Sequence, residues 1–266
     1  MASQSQLSTV LVDKSRVAQN FGAAAASYDQ HAALQRDIAA ELREQWPQLP
    51  ETAAVIDLGC GTGRDSEWLS RQHQLHAVDI AQGMLEATTA RCQQSVQTHC
   101  LDVLQLSQLP VTAEALWSSC MLQWATDMPA AAEAIAAALA PSGQVVAGLF
   151  TAGSLTELTQ AWAAVDDFPH TVSLPDIESI RQAFESAGFE LRWEKTLHTQ
   201  VHFENLAAVR GHLRGLGATN ALQQRAKGLM SRQKLQRLNN ALESFRQPQG
   251  IPMTWNAWLF KAEKIR

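Results

Sequence analysis

The chain has 266 residues, of which 46% are hydrophobic and 18% charged, with a formal net charge of −5; this permits a large core and argues against a protein that coats nucleic acid. Cys60, Cys92, Cys100 and Cys120 form no CxxC pair and no zinc-like pattern with histidine, so neither disulfides nor a metal site is expected. The polar residues 1–20 lack the apolar centre of a signal peptide, and no run of about 18 apolar residues occurs, which predicts a soluble protein of the reducing cytoplasm.

In chain order, residues 1–15 read as a loose terminus, and the Ala-, Leu-, Gln- and Glu-rich stretch that follows predicts mainly helix up to Pro47. "AAVIDLG" then predicts a buried strand, "RDSEWLSRQ" a helix, "LHAVDI" a second strand and "AQGMLEATTARCQ" a second helix. The rhythm continues with "VQTHCLD" as a strand and "EALWSSCML" as a strand ending in Gln123 and Trp124. "MPAAAEAIAAALA" is the next helix, and "GQVVAGLF" a strand after the Pro141-Ser142-Gly143 turn. Right-handed crossovers between such units give an α/β fold with a doubly wound, mostly parallel sheet. Helices around "SLTELTQAWAAV" and "PDIESIRQAFESAGF" precede the strand "ELRWEKTLHTQVHF", and "PMTWNAWLFKAEK" closes the chain with strand character. The organisation expected is one domain: a helical lead-in over residues 1–50, a core over 51–203, a helical insertion over 204–247 and a final strand over 248–266. The insertion, between the last two strands, is expected to cap the ligand-binding edge of the sheet.

The segment "VIDLGCGTGRDSEWL" places Gly59, Gly61 and Gly63 in one turn between the first strand and its helix. Such a turn lets a ligand approach bare backbone at the carboxyl edge of an open α/β sheet. A dinucleotide fingerprint GxGxxG would need glycine where Arg64 stands; the pattern is instead Asp-x-Gly-x-Gly-x-Gly beginning at Asp57, which favours S-adenosylmethionine over NAD. Asp79 ends the second strand about 20 residues on, where such folds place a carboxylate that accepts from ribose hydroxyls.

These residues resemble the first motifs of class I methyltransferases. The resemblance implies a Rossmann-like, mostly parallel seven-stranded sheet flanked by helices, with an N-terminal helical lid. It also implies that the backbone of Gly59, Cys60, Gly61 and Gly63 passes beside the amino-acid part of the cofactor and that Asp57 helps bind that end. Asp102 in "HCLDVLQL" would accept from the adenine amino group, the amide of Val103 would reach the ring, and Ile80 and Met84 would flank adenine. Over almost the whole chain, "FGAAAASYDQHAALQ", "DLGCGTG", "VDIAQGML", "LWSSCMLQW", "GSLTELTQAW", "HLRGLGATN" and "PMTWNAWLFKAEK" are similar to the malonyl-[acyl-carrier protein] O-methyltransferases, the BioC family. Ser119 stands where that family often carries Asn, and "VTAEALW" replaces a Phe-Asp lead-in. The implied reaction is esterification of the free carboxylate of malonyl held on acyl-carrier protein, which masks its charge and starts pimeloyl synthesis for biotin.

A malonyl carboxylate is ionised at pH 7, so the attack on a sulfonium methyl needs positioning and water exclusion rather than a strong base. Tyr28, in the segment matching the family's lid, is a candidate to orient the nucleophile, and Gln123 and Trp124 are expected at the catalytic edge. His170 in "FPHTVSLP" is a candidate substrate-facing residue. From Asn205 to Leu242 the chain carries Arg210, Arg214, Arg225, Lys227, Arg232, Lys234 and Arg237 and no acid, which points to an acidic partner such as acyl-carrier protein. Arg210 and Arg214, one helical turn apart, would meet either the carrier or the malonyl carboxylate. Three alternatives stay open: a methyltransferase for a free small acid such as trans-aconitate, an RNA methyltransferase gripping phosphates with the basic run, and a cofactor-binding protein without catalysis. Nucleic acid is disfavoured by the lack of interleaved aromatic residues.

Overall fold

The computed structural model describes residues 12–93, 95–219 and 230–265. The lead-in is helical but broken into three pieces. α1 (Lys14–Ala24) is capped by Asp13, whose carboxylate accepts from the Arg16 amide at 3.2 Å. α2 (Tyr28–His31) is a single turn, and α3 (Ala33–Arg43) buries Ile38 and Leu42. One continuous helix cannot place α1 at the sheet edge and α3 on the sheet face, so the chain breaks between Ala25 and Ser27 and again at Ala32.

The strand and helix alternation follows: β1 (Ala54–Leu58), α4 (Arg64–Ser70), β2 (Gln74–Asp79), α5 (Gln82–Arg91), β3 (Gln97–Cys100), β4 (Ala113–Ser119), α6 (Met128–Ala138) and β5 (Leu139–Phe150). α7 (Thr156–Ala163), α8 (Ile177–Ser186), β6 (Phe189–Phe203), α9 (Leu206–Gly215), α10 (Arg232–Glu243) and β7 (Ile251–Lys264) complete the order. The seven strands lie as β3-β2-β1-β4-β5-β7-β6. β1 to β5 pair in parallel, while β7 pairs antiparallel with both β5 and β6.

Two sequence expectations are corrected here. β4 stops at Ser119 rather than at Gln123 and Trp124, because Cys120 turns to φ 58, a left-handed conformation that breaks the strand, and Leu122–Trp124 close into a 3-10 turn. β5 begins at Leu139, before the Pro141-Ser142-Gly143 turn, with a register shift opposite Ala113 and Ala115.

One sheet face packs Ile56, Leu116, Val145 and Phe260 against α6 and α8; the other packs Val55, Trp117, Val146 and Leu259 against Ile38 and Leu42 of α3. A further apolar group, Leu158, Val209, Leu238, Leu242 and Met253, joins α7, α9 and α10 to β7. The chain order reverses between β1 and β4, and the carboxyl ends of those strands form the crevice where open α/β sheets hold ligands. Because β7 opposes both neighbours, β6 runs in the direction of β1 to β5. Its last residue, Phe203, pairs with Ile251 at that same carboxyl edge, so the helices between them stand over the crevice. Among the described residues no helix is long and apolar enough to cross a membrane.

Candidate active site

The three turn glycines share a left-handed backbone, with φ of 78° at Gly59, 55° at Gly61 and 79° at Gly63, yet they face different surroundings. A Cβ on Gly59 would collide with the Met121 side chain, and one on Gly63 would lie 2.7 Å from the Cα of Thr88 in α5. A Cβ on Gly61 would meet nothing within 4 Å. Gly59 and Gly63 thus permit close packing of the turn, and Gly61 leaves its bare face open to a cavity.

That cavity, of about 80 Å³, is bounded by Gly59, Gly61, Asp79, Ile80, Met84, Asp102 and Val103 from the sheet edge and by Lys14, Phe21 and Tyr28 from the lead-in. Asp79 Oδ2 accepts from the Gly61 amide at 3.0 Å and Oδ1 from the Ala81 amide at 2.8 Å. Burial raises its carboxyl above the ordinary range despite these amides, so an added hydrogen-bond donor is favourable here. Asp102 Oδ1 accepts from the Leu104 amide at 3.0 Å and from Lys14 Nζ at 2.7 Å, an ion pair that crosses the cavity from lead-in to sheet.

Asp57, Cys60 and Gly63 are not on the cavity wall. The Asp57 side chain points beneath the glycine turn, where Oδ2 accepts from Ser66 Oγ at 2.5 Å, and burial, with the charges of Asp65 and Asp79, pushes its carboxyl up to about 8. The family resemblance implies that this acid helps bind a cofactor's amino-acid end; in the structure its carboxylate joins β1 to α4 through Ser66. Cys60 is turned inward as well, its sulfur accepting from Thr88 Oγ1 at 3.4 Å.

A larger cavity of about 530 Å³ lies alongside, between the sheet edge and the insertion. Phe21, Tyr28, Cys120 and Trp124 border both cavities. Trp124 meets Phe21 edge-on at 5.4 Å. The Tyr28 hydroxyl has no hydrogen-bond partner among the described residues, and burial pushes its phenol well above the ordinary value, so it stays protonated and can donate. Burial also pushes the Cys120 thiol up to about 12, which makes it a neutral wall rather than a nucleophile. Gln123 lines the larger cavity; its Nε2 donates to the Cys120 carbonyl at 2.6 Å and its buried Oε1 has no partner among the described residues.

His170 also lines this cavity, stacked on Trp162 with ring centres 3.5 Å apart. Its Nε2 lies 2.7 Å from Asp166 Oδ1, and Lys234 Nζ of α10 lies 2.6 Å from Oδ2. Those two partners hold the Asp166 carboxyl down near 2. Lys234 is therefore already engaged, whereas Arg210 and Arg214, exposed on α9 at the cavity's edge, make no ion pair among the described residues. Arg225 and Lys227 lie outside the described residues.

Sequence reasoning missed Phe21, Cys120, Trp162 and Lys14. Phe21 lies in α1 and Tyr28 in α2, and the break between them brings the two rings within 6.4 Å in a way helical spacing does not announce. Lys14 and Asp102 are 88 positions apart, and no local pattern announces their pairing.

The residues around the smaller cavity suit a nucleoside sulfonium. Gly61 offers an open backbone cradle, Asp79 and Asp102 offer carboxylate acceptors, and Ile80, Met84 and Val103 offer apolar contact. Its volume is below the roughly 300 Å³ at which small-molecule pockets begin, with Lys14, Val17 and Phe21 of α1 forming one of its walls.

Comparison with known proteins agrees. Residues 28–193 match the methyltransferase domain family. The chain is 36% identical over 232 residues to the malonyl-[acyl-carrier protein] O-methyltransferase of Serratia marcescens, covering 86% of this chain and 89% of that protein. It is 35% identical over 258 residues to the protein of the same name from Alcanivorax borkumensis, covering 94% and 87%. It is also 34% identical over 248 residues to the biotin biosynthesis bifunctional protein BioHC of Cellvibrio japonicus, covering 93% of this chain but 49%, about half, of that longer protein. Among solved structures, a putative methyltransferase from Bacillus halodurans superposes with a TM-score of 0.63 at 15% identity, covering 85% and 98%, which shows the common fold. With its glycine turn, its strand-end acids and this kinship along nearly its whole length, the chain belongs to the malonyl-[acyl-carrier protein] O-methyltransferases, a family of S-adenosylmethionine-dependent enzymes.

Proposed function

We propose that this chain methylates the free carboxylate of malonyl-[acyl-carrier protein] in the cytoplasm, giving the methyl ester that starts the biotin side chain. The observation that carries the reading is the shared border of the two cavities: Phe21, Tyr28, Cys120 and Trp124 face both the cavity beside Gly61, Asp79 and Asp102 and a larger acceptor space. In this reading Gly61, Asp79, Ile80, Met84, Asp102 and Val103 hold S-adenosylmethionine, which supplies an electrophilic methyl when bound.

The protein's own part is positional. The acceptor carboxylate is already ionised, so no residue has to remove a proton. Tyr28 donates its hydroxyl to one carboxylate oxygen and aims the other at the methyl. Phe21 and Trp124 exclude water, which removes solvation that would otherwise blunt the anion. Gln123, with an unpaired carbonyl oxygen in the wall, accepts an N–H of the incoming group. His170, held by Asp166 and Trp162, shapes the far wall.

Arg210 and Arg214, unpaired among the described residues, and Arg232 and Arg237 on α10 give the insertion a cationic surface for an acidic, transient carrier. The test compares free malonate, malonyl-coenzyme A and malonyl-carrier at equal concentrations, with the methyl ester read by mass spectrometry. Turnover confined to free small acids would overturn the carrier assignment.

A further inference from the structure

Tyr28 opens a helix of only four residues whose N-cap, Ser27, makes no side-chain cap hydrogen bond. One turn cannot sustain itself, since nucleating a helix costs more than a single turn returns. Yet the ring at the border of both cavities has to be held in one place. Both neighbours supply anchors: Ser27 Oγ donates to the Gly215 carbonyl at 3.2 Å, and Asp29 makes the larger set. Asp29 Oδ1 accepts from Thr62 Oγ1 at 2.7 Å, Oδ2 accepts from the Arg91 guanidinium at 2.5 Å, and Arg64 lies 3.6 Å away. Its backbone carbonyl accepts from Arg36 of α3 at 2.9 Å.

The donors have a common origin. Thr62 sits in the glycine turn, immediately after Gly61; Arg64 begins α4, which follows that turn; Arg91 ends α5, whose Met84 lines the cofactor cavity. A single carboxylate thus ties the lead-in to the cofactor side of the crevice from three directions. The group is about one-third exposed. Burial alone would raise its carboxyl, but the hydrogen bonds from Arg91 and Thr62 and the charges of Arg91 and Arg64 outweigh that, leaving it below the ordinary range and ionised at working pH.

We propose that Asp29 is a positioning residue for methyl transfer: by clamping α2 to the glycine turn it fixes Tyr28 at the meeting of the two cavities and couples the hydroxyl's placement to the shape of the cofactor cradle. The inference rests on the role given to Tyr28 under the proposed function. It adds that one residue, touching neither reactant, sets both cofactor grip and acceptor alignment. Charge-assisted bonds of this geometry are directional, so the clamp specifies an orientation as well as a contact.

The experiment uses the full chain and five variants: Asp29→Ala, Asp29→Glu, Arg91→Gln, Tyr28→Phe and the Asp29→Ala/Tyr28→Phe double. S-adenosylhomocysteine affinity is read by calorimetry, kcat and KM with malonyl-carrier by ester formation, and folding by thermal melting. Asp29→Ala is expected to lower kcat about tenfold or more, since small misplacements of reacting groups are costly, and to weaken S-adenosylhomocysteine several-fold. Arg91→Gln should move both quantities in the same direction, and Asp29→Glu should restore part of each. With S-adenosylmethionine saturating, so that weakened cofactor grip does not enter, the double variant should lose no more kcat than Tyr28→Phe alone, because Asp29 then acts through Tyr28.

Multiplying losses in the double variant, or wild-type affinity and kcat in both Asp29→Ala and Arg91→Gln, would overturn the proposal. If Asp29→Ala does not fold, Arg91→Gln and Asp29→Glu decide the matter by the same readouts. Failure of the functional reading looks different, because the unsubstituted chain would then form no ester on malonyl-carrier. In that event the calorimetry still judges the clamp, and unchanged affinity in Asp29→Ala and Arg91→Gln sinks it.

Discussion

Replacing each turn glycine by alanine separates folding from cofactor binding. The left-handed backbone common to Gly59, Gly61 and Gly63 costs an alanine about 1–2 kcal/mol at any of them. At Gly61 that is the whole folding cost, because the new methyl meets nothing within 4 Å. At Gly63 the methyl stands 2.7 Å from the Thr88 Cα, and α5 has to shift, adding about 1–3 kcal/mol of overpacking. Gly61→Ala should therefore lower the melting temperature by roughly 2–8 °C, at about 2–4 °C per kcal/mol for a chain of this size, and Gly63→Ala by clearly more. Binding should rank the other way. The Gly61→Ala methyl projects into the cradle and should weaken S-adenosylhomocysteine by about tenfold or more, equivalent to about 1.4 kcal/mol. Thermal melts and calorimetric titration of both variants give the two rankings. Wild-type affinity in Gly61→Ala, or equal melting temperatures for the two, would refute the assignment of Gly61 as the open face of the cofactor site.

Asp57→Asn should flatten the pH dependence of stability. The folded carboxyl is raised from 3.8 to about 8, so the folded chain keeps a proton that the unfolded chain releases, and stability is lost as pH rises between those values, at most ~1.4 kcal/mol per pH unit. Urea midpoints at pH 5 and pH 8 should diverge in the natural chain and converge in the variant; parallel behaviour would contradict a carboxyl raised by burial. Arg210→Glu combined with Arg214→Glu should reduce kcat/KM for malonyl-carrier about tenfold or more and weaken its salt dependence, and an unchanged salt slope would remove these arginines from the docking surface. Lys14→Met deletes the partly exposed ion pair across the cofactor cavity, worth about 1 kcal/mol or less. Stopped-flow should then show S-adenosylhomocysteine entering and leaving a few-fold faster, and identical rates would mean that the pair does not restrain the lead-in.

The sheet was legible because its strands carry their own signals. "AAVIDLG" and "LHAVDI" are short apolar runs closed by an acid or glycine, and their spacing admits few topologies. The glycine turn at the crevice was legible for the same reason, since a turn with three glycines has few structural uses. What escaped was whatever depends on direction rather than identity. Asp57 fits the motif by type, but a side chain alternates faces along a strand, and this one points toward Ser66 rather than the cavity. The end of β4 escaped because Cys120 adopts a left-handed backbone, which no sequence rule expects of cysteine. The long-range pairs of Lys14 with Asp102 and Asp29 with Arg91 arise from tertiary approach and leave no trace in spacing.

The hairpin of β6 and β7 has a consequence for how acceptor choice can diversify. Its register closes at Phe203 and Ile251, so everything between those two residues enters and leaves the sheet at neighbouring points on one rim. Replacing that segment by another with the same two anchor points keeps the β6–β7 register, but the replacement also has to seat the lead-in, because Ser27 Oγ donates to the Gly215 carbonyl at 3.2 Å and Gly217 lies against the Phe21 backbone. Exchange of this stretch between relatives is thus a route to new acceptors only where the transplanted helices preserve that seat; methyl-donor affinity is then expected to hold while acceptor preference follows the insertion.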